Sequence, residues 1–220
     1  MSVLLARFAV ARLLFPFAEV ERVQTAIKQS VLAVAVWMAL SGNTLAHSFT
    51  AALIVAGDNR EASLAEAVRG FLLAADEQDG HANETSDGHL GGVDVNVLPL
   101  PRDAAGLVEG LIGKPTETGD VVVVLGPEPA ASEAAREYQS TSTVLLQVVL
   151  TERWVSDEGT DSFVTRYRRA YGTAPSVMAA TGYHAARRLD VAIRPLDGVI
   201  PRAALEDAWR STESGLPWKS

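Results

Sequence analysis

No cysteine occurs among the 220 residues. That excludes disulfides, thiolate metal sites and a cysteine nucleophile, and leaves the compartment open, because a thiol-free chain is tolerated anywhere. Long apolar runs are missing too. The run "VLAVAVWMAL" at 31–40 has ten residues, whereas a helix crossing a bilayer core of about 30 Å needs roughly 20. A nucleotide phosphate would need clustered glycines between a first strand and its helix. Here that turn reads "AGDNREAS", with one glycine among carboxylates, which argues against a dinucleotide site. No Gly-x-Ser-x-Gly elbow occurs, and no serine is convincingly paired with a nearby base. The paired acids Asp76 and Glu77, Asp157 and Glu158, and Glu206 and Asp207 are adjacent, so on a helix the members of each pair do not face one another. No enzyme signature is expected.

Basic clusters are also absent. Beyond Ala46 there are 15 Lys and Arg against 25 Asp and Glu, a net charge of −10. Such a surface repels phosphate backbones and anionic headgroups, so neither nucleic acid nor a membrane surface is an expected partner.

The first 46 residues differ from the rest. Lys28 precedes the apolar run, and Ser41, Gly42 and Ala46 follow it. A basic flank, a short apolar core and small closing residues are the parts of a secretory signal peptide, with cleavage expected after Ala46 and a periplasmic destination. A buried hydrophobic helix is the alternative. The preceding stretch is long for such a leader and contains Glu19 and Glu21, so translation starting nearer Val23 is one expectation. The other is an amphipathic arm, because Leu5, Phe8, Arg12 and Phe15 recur at helical spacing.

Residues 47–220 read as one α/β domain of a size that can bury a core unaided. Strands are expected at 49–57, 93–100, 121–125 and 143–150, from apolar, valine-rich or alternating runs. Helices are expected between them: 60–80, closed by Gly80; a short one in "RDAAGLVEGLIG" (102–113); and one in "EPAASEAAREYQ". Residues 81–92 read as a polar surface loop. Alternation of this kind implies crossover units, a mainly parallel sheet and helices on both faces, a three-layer Rossmann-like arrangement. After a polar connection holding Trp154, helices return at 160–210. Phe163, Tyr167, Ala170 and Tyr171 share one face of the first, with Arg168 and Arg169 outward. Pro175 suits the start of the next helix, where Met178, Gly182, Ala185, Leu189 and Ala192 form a small-residue stripe able to approach a neighbour closely. A short helix at 203–209 ends the series.

Candidate binding residues lie where such sheets hold ligands, beyond the carboxyl ends of the strands. Asp58 and Asn59 follow the first strand, and Glu128 and Ser132 follow the third. Ser132 and helix N-terminal N–H groups can hold a carboxylate, while a free acid can hold an ammonium. The alternative is that Asp58, Asn59 and Ser132 only cap helices. His81, Glu84, Asp87 and His89 share one loop, but their spacing matches no rigid ligand presentation, so no metal is expected. No cofactor is expected either. His184 reads as a surface or packing residue.

The segment "FVTRYRRAYGTAPSVMAATGYHAARRLDVAI" resembles the C-terminal helix pair of type I periplasmic binding proteins, in particular the leucine/isoleucine/valine-binding branch of ABC-transporter receptors. Phe163, Tyr167, Tyr171, Gly172 and Pro175 match its turn. Gly182-Tyr183-His184-Ala185 matches its Gly-Tyr-Asp-Ala helix, with His184 in the aspartate's place. "LAEAVRGFLLAADEQDG", "GGVDVNVLPLPRDAAGLVEGLIG" and "DVVVVLGP" are similar to the family's first half. The resemblance implies uptake of a small polar solute such as an amino acid or amide, with an ABC permease as partner. Members of that family are longer and close two lobes on the solute. This chain passes from its fourth strand almost directly to the terminal helices, so it reads as a single lobe. "GPEPAAS" also puts Pro129, Ala130 and Ala131 where hydroxyl residues are expected, leaving Ser132 as the nearest substitute. An altered solute site follows, or else an interaction or sensory module whose crevice a partner protein covers; an α/β enzyme is the third alternative and has least support.

Overall fold

The computed structural model describes residues 48–78, 85–101, 106, 111, 119–138, 144–148, 159–196, 198–213 and 216. The chain divides into two units, 1–45 and 46–220, and every described residue belongs to the second. The expected leader, the expected helix at 102–113 apart from Gly106 and Leu111, His81 and Glu84, and the connection around Trp154 lie outside the described residues.

Among the described residues five strands form one sheet. They are β1 (Ser48–Val55), β2 (His89–Leu90), β3 (Val93–Leu100), β4 (Val121–Leu125) and β5 (Val144–Val148), in the spatial order β2-β3-β1-β4-β5. Strands β3, β1, β4 and β5 run parallel, with Ala51 opposite both Val97 and Val121, and Val123 opposite Leu146. Only β2 is antiparallel, pairing with β3. The β-branched runs account for this, since central parallel strands are covered on both faces and tolerate few polar side chains.

Among the described residues five helices accompany the sheet: α1 (Arg60–Asp76), α2 (Ala130–Glu137), α3 (Phe163–Tyr171), α4 (Val177–Ile193) and α5 (Arg202–Ser211). Strand alternation divides the core in two. Phe49, Ala51, Leu53, Val95, Val123 and Leu146 face a large cluster built with α1, α3, α4 and α5. Ala52, Ile54, Leu98, Val122 and Val124 face the other way and pack on Ala131 and Ala135 of α2. The α/β class, the mainly parallel sheet and helices on both faces therefore hold.

The returning helices are part of the main core. Tyr167 and Leu189 are fully buried. Helix α3 begins at Ser162, whose hydroxyl accepts the Thr165 N–H at 3.3 Å, and ends at Gly172 with φ 71°. Glycine suits that left-handed stop. The small-residue stripe of α4 meets α1: a β-carbon on Gly182 would lie 1.9 Å from the carbonyl oxygen of Ala67. The two backbones touch.

Several boundaries differ from expectation. Helix α1 stops at Asp76, before Gly80. Pro175 does not open α4; Ser176 is its N-cap and accepts the Ala179 N–H at 3.0 Å. Ala170 is exposed, unlike Phe163 and Tyr167. The second half of the expected 81–92 surface loop is partly interior. Ser86 and Asp87 are buried, because the Asp87 carboxylate accepts the Val97 N–H at 2.8 Å and backbone bonds tie 87–88 to Val95. Gly91 and Gly92, both at positive φ, then turn the chain from β2 into β3.

Candidate functional site

Strands β1 and β4 are parallel neighbours whose following helices, α1 and α2, cover opposite faces. This divergence is where open α/β sheets commonly leave a crevice. Here its root is closed. The Ala56 N–H extends the pairing by donating to Leu125 O at 2.8 Å. A β-carbon on Gly126, which has φ 143°, would come within 2.5 Å of Ala56 O. The Pro127 ring lies 3.6 Å from where a Gly57 side chain would begin.

The polar groups gather to one side of that contact. Ser132, in the first turn of α2, donates its hydroxyl proton to Glu128 Oε2 at 2.6 Å. From β5, Gln147 donates through Nε2 to Glu128 Oε1 and to Ser132 Oγ, each at 3.1 Å. Two expected site residues thus join a third that sequence reasoning missed. The signal for Gln147 was its place as the lone amide in "VLLQVV": Val144, Leu146 and Val148 turn to the large core, leaving Gln147 on the α2 side. Ser132 is not a helix cap, since α2 has Pro129 at that position and no side-chain cap bond.

The other two expected residues stay apart. Asp58 and Asn59 are exposed in the turn after β1, and neither bonds to the Glu128 group. Asn59 occupies the N-cap of α1 in the left-handed region, φ 52°, and its side chain makes no cap hydrogen bond. The capping alternative therefore fails for the side chains of Asn59 and Ser132.

A shallow cavity of about 90 Å³ opens elsewhere along the same edge, between the start of α1 and the end of α2. Ile54, Leu64 and Leu100 contribute apolar surface, and Arg60, Glu61 and Glu137 bring charges of both signs. It is far smaller than the roughly 300 Å³ or more of a pocket that encloses a drug-sized ligand.

No cluster of metal-ligating side chains occurs among the described residues. His89 instead pairs with Asp94 at 2.7 Å. His184, expected as a surface or packing histidine, is buried. Burial, with the nearby Arg188 cation adding to it, lowers its pKa to about 4, so it is neutral at pH 7. No described helix is long and apolar enough to cross a membrane.

Comparison with known proteins returned no relative: no family model, no curated protein and no solved structure matches the chain.

Proposed function

We propose that this chain is a solute-binding module related to type I periplasmic binding proteins. On this reading it is a single lobe, exported to the periplasm through its N-terminal leader, and it binds a small polar solute at the Glu128, Ser132 and Gln147 group. The observation that carries the reading is the convergence of those side chains from the turn after β4, the first turn of α2 and β5 at the carboxyl edge of a parallel sheet. Interdigitation of the returning helices with the core supports the single-lobe part: Tyr167, Tyr183 and Leu189 are all sealed against it. A permease as downstream partner follows from the same resemblance.

A second reading is favoured by the shape of the edge. The exposed polar group and the shallow cavity provide one wall, whereas small ligands have most of their surface buried when bound tightly. A partner protein covering the edge would supply the second wall and make the module a sensory or interaction unit.

Isothermal calorimetry of the purified chain against branched-chain amino acids, amides and short organic acids separates the two. Saturable heat that weakens in Glu128→Ala and Ser132→Ala supports solute binding. Absence of heat across the panel, with a copurifying protein that protects the edge from labelling, supports the second reading.

A further inference from the structure

The two edges of the sheet are unlike. One ends in β2, a strand of two residues whose His89 pairs with Asp94 of β3. Shortness and charge are the usual protections of a sheet edge. The other edge is β5, and among the described residues only β4 pairs with it. From Tyr138 to Thr151 the sequence holds no charged residue and no proline, so this edge lacks the charge and the proline that block strand addition.

Register shows which of its backbone groups are left over. The Val144 N–H donates to Asp120 O at 3.3 Å, so Val144 faces β4. A strand residue sends its N–H and C=O to the same side, and the sides alternate along the strand. Leu146 and Val148 therefore also face β4, while Leu145 and Gln147 direct their N–H and C=O outward. An antiparallel copy of the same strand meets that pattern when a two-fold axis passes at Leu146. Leu145 then exchanges both hydrogen bonds with Gln147 of the second copy, and Gln147 does the same with its Leu145. Every outward backbone group of Val144–Val148 is satisfied.

The side chains agree with this pairing. Val144 and Val148 turn to the large core, and each meets the other's copy, a β-branched pair suited to a sheet. Leu145 meets Gln147 on the α2 side. No charge on either strand opposes its own kind, which matters for a chain of net charge −8. The Glu128 carboxylate is bonded to the Gln147 side chain, and the axis sends its two copies toward opposite ends of the pair.

We propose that two copies of this chain pair through β5, antiparallel and centred on Leu146, so that their sheets become continuous. A strand of five residues is roughly 17 Å long. Such a pair covers less than the about 800 Å² per partner of a standard interface, so the dimer is weak and forms at micromolar concentration or above. It does not depend on the proposed solute site: pairing uses the Gln147 backbone, whereas that site uses the side-chain amide.

Sedimentation equilibrium of the full chain over a concentration series measures the association, and amide hydrogen exchange along the series locates it. A monomer–dimer equilibrium is expected, in which the Leu145 and Gln147 amides exchange fast in the monomer and slow as dimer forms. Leu145→Pro removes an outward donor and no bond to β4, and symmetry deletes that donor from both copies. The dimer is therefore expected to weaken about tenfold or more. Leu145→Ala keeps the N–H and is expected to associate like the parent. Thermal midpoints verify that both variants fold; should the proline variant fail to, exchange in the parent and in Leu145→Ala decides. A chain that stays monomeric at millimolar concentration overturns the proposal. So does a dimer in which those two amides stay fast, which places the interface elsewhere. Their protection at every dilution overturns it as well, because another part of the chain then covers β5. Equal association of a folded Leu145→Pro and the parent does the same.

Discussion

Gly70 of α1 and Ala179 of α4 are in backbone contact: a β-carbon on Gly70 would sit 1.9 Å from the Ala179 carbonyl oxygen. The reciprocal contact, Gly182 on Ala67, has the same distance. Two helices therefore meet through paired small residues, and α4 brings the C-terminal part of the described chain onto the sheet.

Neither glycine can accept a methyl without the helices separating. Gly70→Ala and Gly182→Ala are each expected to cost about 3 kcal/mol or more, well above the roughly 1 kcal/mol that alanine would gain from helix propensity. Urea unfolding of the two variants measures this. A neutral or stabilising result would mean that the helices do not touch there.

The α1–α4 seam ends in a polar clasp. The Tyr183 hydroxyl donates to Glu77 Oε2 at 2.6 Å and accepts from Arg166 Nη2 at 2.7 Å, while Arg166 Nε reaches Glu77 Oε1 at 2.7 Å. Tyr183→Phe is expected to destabilise by about 1.5–3 kcal/mol, the range for losing a hydrogen bond to a charged group. In Glu77→Gln, a second Tyr183→Phe change is expected to cost clearly less, since the charged acceptor has gone. A double-mutant cycle checks both.

Helix α5 is held by a buried cation. The Arg188 guanidinium lies 3.9 Å from the Trp209 ring centroid, donates to Thr212 Oγ1 at 2.6 Å and reaches Trp209 O at 3.1 Å. Desolvated contacts of this kind contribute about 1–2 kcal/mol beyond area burial. Arg188→Ala and Trp209→Ala are expected to show a coupling of that size. Additive losses would place the guanidinium away from the ring.

Acid should weaken the fold through His184. Its pKa is lowered to about 4 in the folded chain by burial and by Arg188, against about 6.5 when unfolded. Its contribution is complete above pH 6.5 and is lost as pH falls from there toward 4, by up to about 3 kcal/mol. Because carboxylates titrate in the same window, the measured quantity is the difference between the parent and His184→Gln. The parent is expected to lose more stability across that window. Parallel pH curves would contradict the burial of a neutral imidazole.

Much of this architecture was legible because it follows from side-chain period. The alternation of Val93, Val95 and Val97, the four valines at 121–124, and the stripe through Gly182 and Leu189 each name a buried face directly. What escaped depended on pairing at a distance. Asp87 sits in a polar run, and its burial follows from bonds to β3, where its carboxylate accepts the Val97 N–H and its own N–H donates to Val95 O. Gly70 reads as a helix weak point until Ala179 is known to lie against it. At the candidate site, chain position identified Glu128 and Ser132, because both follow a strand that reaches the carboxyl edge. The same rule selected Asp58 and Asn59, which lie exposed in the turn after β1 and make no bond to the other two. Gln147 was missed because its partners belong to a different element.

The most direct test of ligand recognition at the carboxyl edge is a solution amide-shift map. The labelled chain is titrated with branched-chain amino acids, amides and short organic acids. Perturbations concentrated on Glu128, Ser132 and Gln147, saturating with ligand, are the expected result. Perturbations confined to the cavity lined by Leu64, Leu100 and Tyr138, or none with any compound, would contradict it.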